Sequence, residues 1–507
     1  MAFSDTVVVA LAQVDGGDRV DIWHEDRLLI DGQLVAAENG RTYPTISPST
    51  EETLGTAADA TVADTQSAIA AARRAFDTTD WSRDHALRQR CLRQFHQALK
   101  DNVEELRQLL VHEVGAPISS TSGPQLEAPI DIVSWYADLI DRYEFVEDLG
   151  VRETFAGPSH RWIEKEAAGV VAAISAYNYP IQLALAKLAP ALAAGCTVVL
   201  KGAPDTPWST LALGKLIAES TEIPRGVVNV LTSSEAAAGI ELTVHPDVDV
   251  ISFTGSTPVG RQIMAAAGDT VKRVFLELGG KSACVMLDDG DPAMAALMGS
   301  YAAASHSGQG CAITSRLVVP RDRFDEVVDV ARTTMSTIPY GDPTDPANYM
   351  GPLINQRQRE KVAGFVDRAI QDGAKAVVGG RIPEHLPRGY FYEPTLLVDV
   401  DENAAVAQEE LFGPVLVVLP HDGDDDAVRV ANNSIFGLSG AVLGNDRERA
   451  LSVARRIRSG TISVNGGIYY GPDAPFGGYK QSGIGREMGA AGLEEFIERK
   501  TLAEPVA

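Results

Sequence analysis

Between residues 168 and 254 the chain alternates short β-rich runs with helical stretches, and no other feature restricts the fold so strongly. Gly169–Ser175 (GVVAAIS) reads as a strand and 181–194 as an alanine- and leucine-rich helix ended by Gly195, a usual C-terminal stop. Thr197–Lys201 is the next strand, 207–219 a helix, Val227–Leu231 a strand, Glu235–Leu242 a helix and Val248–Phe253 a strand. Strands separated by whole helices cannot pair as hairpins. They lie parallel through right-handed crossovers, which predicts a Rossmann-like sheet covered by helices. Ligands of such sheets sit beyond the carboxyl ends of the strands. Asn178, Lys201 and Gly255 follow three different strands and are expected to converge there.

Two groups with chemical potential lie downstream. Cys311 sits in Ser307-Gly308-Gln309-Gly310-Cys311-Ala312, among glycines and small residues rather than in an apolar run. A core cysteine packs as a small hydrophobe, whereas a nucleophilic one needs access to substrate. Glu277 interrupts the apolar run Val274-Phe275-Leu276-Glu277-Leu278 just before Gly279-Gly280-Lys281, so it is a carboxylate in a buried setting. Thiol and acid together suggest a nucleophile with a base. Phe253-Thr254-Gly255-Ser256 leads from strand to helix and offers backbone N–H groups to a phosphate, although it is not the GxGxxG pattern.

The rest of the chain supplies a large α/β body. Residues 1–26 read as a variable leader. Leu28–Val35 reads as a hairpin turning at Asp31-Gly32, Pro44 and Pro48 break the next segment, and 62–78 and 84–114 read as amphipathic helices, with Cys91 on the apolar stripe of the second. A second α/β region has strands at Ala283–Leu287, Leu317–Val319, 376–378, 395–398 and 415–419, and helices at Asp322–Met335 and 355–372. The glycine-dense stretch Phe476–Glu487 cannot hold a helix and reads as an ordered loop near the site.

A net charge of −25 argues against nucleic acid and anionic membrane surfaces as partners. Cys91, Cys196, Cys284 and Cys311 form no CxxC pair and the histidines no HExxH cluster, so neither a disulfide framework nor a metal site is expected. The apolar run Val7–Ala12 is short and follows no basic residue, and no segment reaches the length of a membrane span. A cytoplasmic protein is expected.

Seven motifs in order resemble the aldehyde dehydrogenase superfamily, and the resemblance covers about residue 28 to 500: YNYP with Asn178, Lys201 before Asp205-Thr206-Pro207, FTGS, LELGGKS, GQGC, EELFGP and FGGYKQSG. The resemblance implies Cys311 as the nucleophile toward an aldehyde, Asn178 and the Cys311 N–H as the oxyanion hole, and Glu277 as the base that activates water against a thioester. Cofactor contacts are implied for Ile174, Ser175, Lys201, Pro204, Gly255, Ser256, Gly260, Gly279, Glu410 and Phe412. A substrate pocket is implied at Tyr179, Gln182, Ile468, Tyr470 and Phe476, with Tyr469 beside it, largely apolar and aromatic and suited to an aliphatic, aromatic or terpenoid aldehyde. The family often carries Lys-Pro-Ser/Ala-Glu where this chain has Lys201-Gly202-Ala203-Pro204. The absent glutamate opens the way to NADP, yet no added cation follows Lys201 closely, and NAD is the expected cofactor. The family's tryptophan before the asparagine is Tyr177 here.

The resemblance further implies a cofactor domain from 1–148 and 168–278, a catalytic domain from 279–479 and a β-arm for oligomerisation from 149–167 and 480–507, joining a homodimer or homotetramer. Two alternatives stand beside an acid-forming dehydrogenase. One is a coenzyme A-acylating relative, which Glu277 disfavours. The other is a non-catalytic binding or structural protein that keeps the fold.

Overall fold

A computed structural model describes residues 24–506. The apolar run Val7–Ala12 lies outside them. The alternating segment forms the centre of an eight-stranded sheet. Its parallel strands run Arg273–Glu277, Val250–Thr254, Val170–Ile174, Thr197–Lys201 and Val228–Leu231 across the sheet. The strand order therefore reverses between Val170–Ile174 and Val250–Thr254, and this is where a crevice opens at the carboxyl ends. The hairpin Leu28–Ile30 with Gln33–Val35 joins one edge through Leu29 and Val230. Asp31 and Gly32 both have positive φ, 51° and 71°, as a two-residue hairpin turn requires. Gly483–Ile484, from the glycine-dense loop, pairs antiparallel on the other edge with Leu276 and Glu277.

The helix Pro180–Ala194 buries every residue except Gln182, which suits a helix packed between a sheet and other helices. Gly195 ends it at φ 97°, and a Cβ there would meet the Arg88 guanidinium at 2.6 Å. A second, seven-stranded sheet runs Lys375–Val378, Thr395–Val398, Val415–His421, Thr314–Pro320, Ser282–Met286, Gly440–Leu443 and Ser463–Val464. It is parallel except for the first pair. A third, antiparallel sheet of Val146–Thr154, Gly157–Ala167 and Ile497–Pro505 stands largely exposed, with Phe155 fully open at its tip.

Two local expectations are corrected. The helix expected over 84–114 is split into His85–Asp101 and Val103–Leu109, followed by a π turn over Leu110–Val114. The break is at Asn102 (φ −115°, ψ 24°), whose side-chain amide donates to the Ala98 carbonyl at 2.8 Å, the local competition asparagine offers a helix. Pro44 does not break its segment. It lies inside the strand Thr42–Ile46, paired with Thr53–Ala58 in a two-stranded ribbon, where an exposed edge needs no N–H from it.

Cys91, Cys196 and Cys284 are buried free thiols, while Cys311 is partly exposed. Among the described residues no helix is long and apolar enough to cross a membrane, and no cluster of His, Cys, Asp and Glu could hold a metal ion.

Candidate active site

Three loops interlock around Cys311. The turn before it places His306, Ser307 and Gly308 at positive φ (47°, 56° and 74°). Gln309 is fully buried and holds this turn. Its Nε2 donates to the His306 and Pro352 carbonyls at 3.3 Å each, and its Oε1 accepts the Ile354 N–H at 3.0 Å. Glycine is needed where the loops touch. A Cβ on Gly308 would lie 2.0 Å from the Gly413 carbonyl oxygen, and one on Gly280 would lie 2.4 Å from that of Cys311. The motifs GQGC, LELGGKS and EELFGP are thus packed backbone to backbone.

Asn178 comes from the turn after the strand Val170–Ile174. Its Nδ2 donates to the Gln309 carbonyl at 2.8 Å, and its main-chain carbonyl accepts from Gln125 Nε2 at 3.0 Å. One N–H of the amide remains uncommitted, in a residue that lines the same cavity as Cys311. The Cys311 N–H donates to no backbone acceptor among the described residues.

Glu277 ends its strand with 2% exposure, and neither carboxylate oxygen has a hydrogen-bond partner. Burial first, and then the Glu487 carboxylate, push its pKa well above the ordinary range. Lys187, Arg486 and, without a well-formed bond, the Gly478 amide oppose this. Burial and the charges of Glu277, Glu410 and Glu487 likewise push the Cys311 thiol up, while the Ala312 N–H favours the thiolate. The thiol and Glu277 therefore compete for one negative charge, and a proton leaving sulfur has an unpartnered carboxylate to receive it.

Lys187 and Glu487 form a buried ion pair at 2.8 Å behind Glu277, with Lys187 also over the Phe275 ring at 5.4 Å. The sequence reading missed both. Lys187 is the one charged residue in the helix Pro180–Ala194, which was the available signal.

A cavity of about 550 Å³ unites these groups. Cys311, Glu277, Asn178, Gly255, Ser256, Gly279, Glu410 and Phe412 line it, as do Tyr179, Gln182, Ile468, Tyr469, Tyr470 and Phe476. The structure also brings in Pro124, Met298 and Ile313, apolar positions with no distinguishing signal in the sequence. Ile468 is 92% exposed and marks a rim.

Ile174, Ser175, Lys201, Pro204 and Gly260 are not part of the cavity wall. Ile174 and Lys201 are paired in register at the carboxyl end of the sheet, and the Ser175 N–H donates to the Lys201 carbonyl at 3.1 Å. Lys201 is buried, its pKa is pushed down to about 8 by burial, and among the described residues its ammonium makes a single hydrogen bond, to the Gly202 carbonyl at 3.2 Å. Gly260 lies on the helix Thr257–Ala267, where a Cβ would meet the Leu278 side chain at 2.8 Å. Glu410 is pushed up to about 7 by burial, against the Gly280 N–H it accepts at 2.9 Å and the nearby Lys361 and Lys281. Gly279 makes room for that carboxylate, since a Cβ would come within 2.3 Å of it. Phe412 meets the Tyr177 ring edge-on at 5.9 Å.

Comparison with known proteins shows which family the chain and its fold match. Residues 34–502 match the model of the aldehyde dehydrogenase family. The 3-succinoylsemialdehyde-pyridine dehydrogenase of a Pseudomonas species is 39% identical, covering 93% of this chain and 97% of that protein. Among solved structures, a mutant of aldehyde dehydrogenase C from Pseudomonas syringae, complexed with NAD⁺ and octanal, superposes with a TM-score of 0.90 at 38% identity, over 96% of this chain and 98% of that one. Betaine aldehyde dehydrogenase from Staphylococcus aureus, complexed with NAD⁺, gives a TM-score of 0.91 at 34% identity, over 95% and 94%.

Proposed function

This chain belongs to the aldehyde dehydrogenase family, and from that premise we propose that it oxidises a mainly apolar aldehyde to the carboxylic acid, with NAD⁺ as acceptor. The observation that carries the reading is the meeting of a partly exposed thiol, an unpartnered buried carboxylate and an uncommitted amide N–H in one cavity.

Features of the site support a dinucleotide. The buried Lys201 ammonium has donors to spare, and one Glu410 oxygen is free of the Gly280 N–H. Lys201 would hold the adenosine ribose and Glu410 the nicotinamide ribose. Gly255, Ser256 and the start of the helix Thr257–Ala267 would meet the pyrophosphate, with Phe412 packed beside the ring. Bound there, NAD⁺ supplies the acceptor for the hydride.

The protein's own groups account for the rest. Cys311 loses its proton toward Glu277 and attacks the aldehyde carbon, giving a thiohemiacetal. Asn178 and the Cys311 N–H donate to the developing oxyanion, a contribution of about 10²–10³ in rate per donor. Loss of hydride leaves a thioester on Cys311. Glu277 passes the proton it took from sulfur to solvent, then takes a proton from water as that water attacks the thioester; the adduct expels the Cys311 thiolate as the carboxylic acid forms, and Glu277 returns its proton to the sulfur. The pocket lining of Tyr179, Tyr469, Tyr470, Phe476, Met298 and Pro124 favours apolar aldehydes.

The same reading divides the chain into a cofactor unit (1–148 and 168–278), a catalytic unit (279–479) and an arm (149–167 and 480–507), with the arm joining a cytoplasmic homodimer or homotetramer. Purified protein mixed with NAD⁺, or separately NADP⁺, and an aldehyde panel tests the activity. Formation of reduced nicotinamide that disappears in Cys311→Ala is expected, and its absence across the panel contradicts the proposal.

A further inference from the structure

Within the apolar end of the cavity one polar pair stands apart. Gln182 is the only residue of the helix Pro180–Ala194 that is not buried, and it lines the cavity. Its Nε2 donates to the Tyr470 hydroxyl at 2.5 Å. Tyr470 comes from a distant loop and packs edge-on against Phe476 at 5.8 Å, so the pair bridges two sides of the wall. Neither side chain makes another hydrogen bond among the described residues. The Tyr470 O–H, the Gln182 carbonyl and the second Gln182 N–H are therefore left for whatever occupies the cavity. Burial and the neighbouring Glu487 and Cys311 charges hold the phenol protonated, so it remains a donor.

We propose that Gln182 and Tyr470 form a polar rung that selects aldehydes carrying a second, uncharged hydrogen-bonding group, a ketone or a hydroxyl, along an otherwise apolar chain; this rests on the aldehyde-oxidising reading above. A plain alkyl tail desolvates the rung and gives nothing back, whereas a keto or hydroxyl group replaces the lost water. The group is uncharged because the charges at this end are already committed. Glu487 is paired with Lys187, Glu277 is the base, and among the described residues no free cation lines this wall to meet a carboxylate.

The test compares kcat/KM for octanal, for oxo-octanals with the ketone at successive chain positions, and for betaine aldehyde, in the wild type, Gln182→Leu and Tyr470→Phe. The expected result is a wild-type preference of about 10-fold or more for at least one oxo-octanal over octanal, lost in both variants. Octanal turnover within each variant serves as the control for folding, because the quantity read is a ratio. Equal use of octanal and every oxo-octanal by the wild type overturns the rung, as does a preference that survives both substitutions or a preference for betaine aldehyde. Those results leave the dehydrogenase reading intact. Failure of the wild type to oxidise any aldehyde overturns that reading and the rung with it.

Discussion

A buried carboxylate without a hydrogen-bond partner is unfavourable in a folded protein, and Glu277 carries that penalty where the proposed mechanism calls for a base. Its raised pKa has a kinetic consequence. In the proposed mechanism the ionised form activates water, so the hydrolytic rate should rise with pH until Glu277 has lost its proton, along a limb displaced above that of an ordinary carboxylate. Glu487 contributes to that displacement. In Glu487→Gln the repulsion is gone and Lys187 is released to act on Glu277, so the limb moves to lower pH. A kcat–pH profile of the two proteins reads this directly, and an unmoved limb contradicts it. For Asn178→Ala, a loss of about 10²–10³ in kcat/KM is expected, with a far smaller change in cofactor binding by calorimetry.

At the scale of elements, Glu113 ties one turn to the start of a helix outside the site. It lies in the π turn Leu110–Val114, is fully buried, and takes the start of the helix Pro207–Ser220. Its carboxylate accepts the Trp208 N–H at 2.6 Å, and the Ser209 N–H and hydroxyl at 2.8 and 2.5 Å. Glu113→Ala leaves these donors unmatched and is expected to cost about 2–4 kcal/mol, read as a drop in denaturant midpoint. Burial pushes its pKa up to about 7. The unfolded value is roughly 4.3, so the folded state holds an extra proton between the two. This contribution is complete below the unfolded pKa and is lost as pH rises through about 7. The stability of Glu113→Gln relative to the wild type should therefore improve between roughly pH 5 and pH 8, as melting curves would show.

Across the whole molecule, most of the cofactor sheet was legible in the sequence, because each strand and its crossover helix are local patterns. Thr197–Lys201 has the expected bounds, and Val170–Ile174 and the helix Pro180–Ala194 differ by a residue or so. The pairing of Gly483–Ile484 with Leu276–Glu277 was not legible, since two residues of a glycine-rich loop carry no strand pattern. The Lys187–Glu487 pair was equally hidden, being a contact between residues 300 positions apart. Asn102 looked like an ordinary helical position, because its break depends on a side-chain bond to the preceding turn. The exposed three-stranded sheet has a free edge along Val146–Thr154 and an open Phe155. Gel filtration should give twice or four times the chain mass, and a monomer mass would reject the proposed role of the arm.

The central claim is that Cys311 carries an acyl group which Glu277 releases through water. Glu277→Gln mixed with NAD⁺ and octanal, followed by rapid-mixing absorbance and intact mass, tests it most directly. One equivalent of NADH per active site, formed more slowly than in the wild type because Cys311 has lost its proton acceptor, with an octanoyl adduct on Cys311 and still slower turnover afterwards, is predicted. Steady turnover at the wild-type rate with no adduct would contradict it.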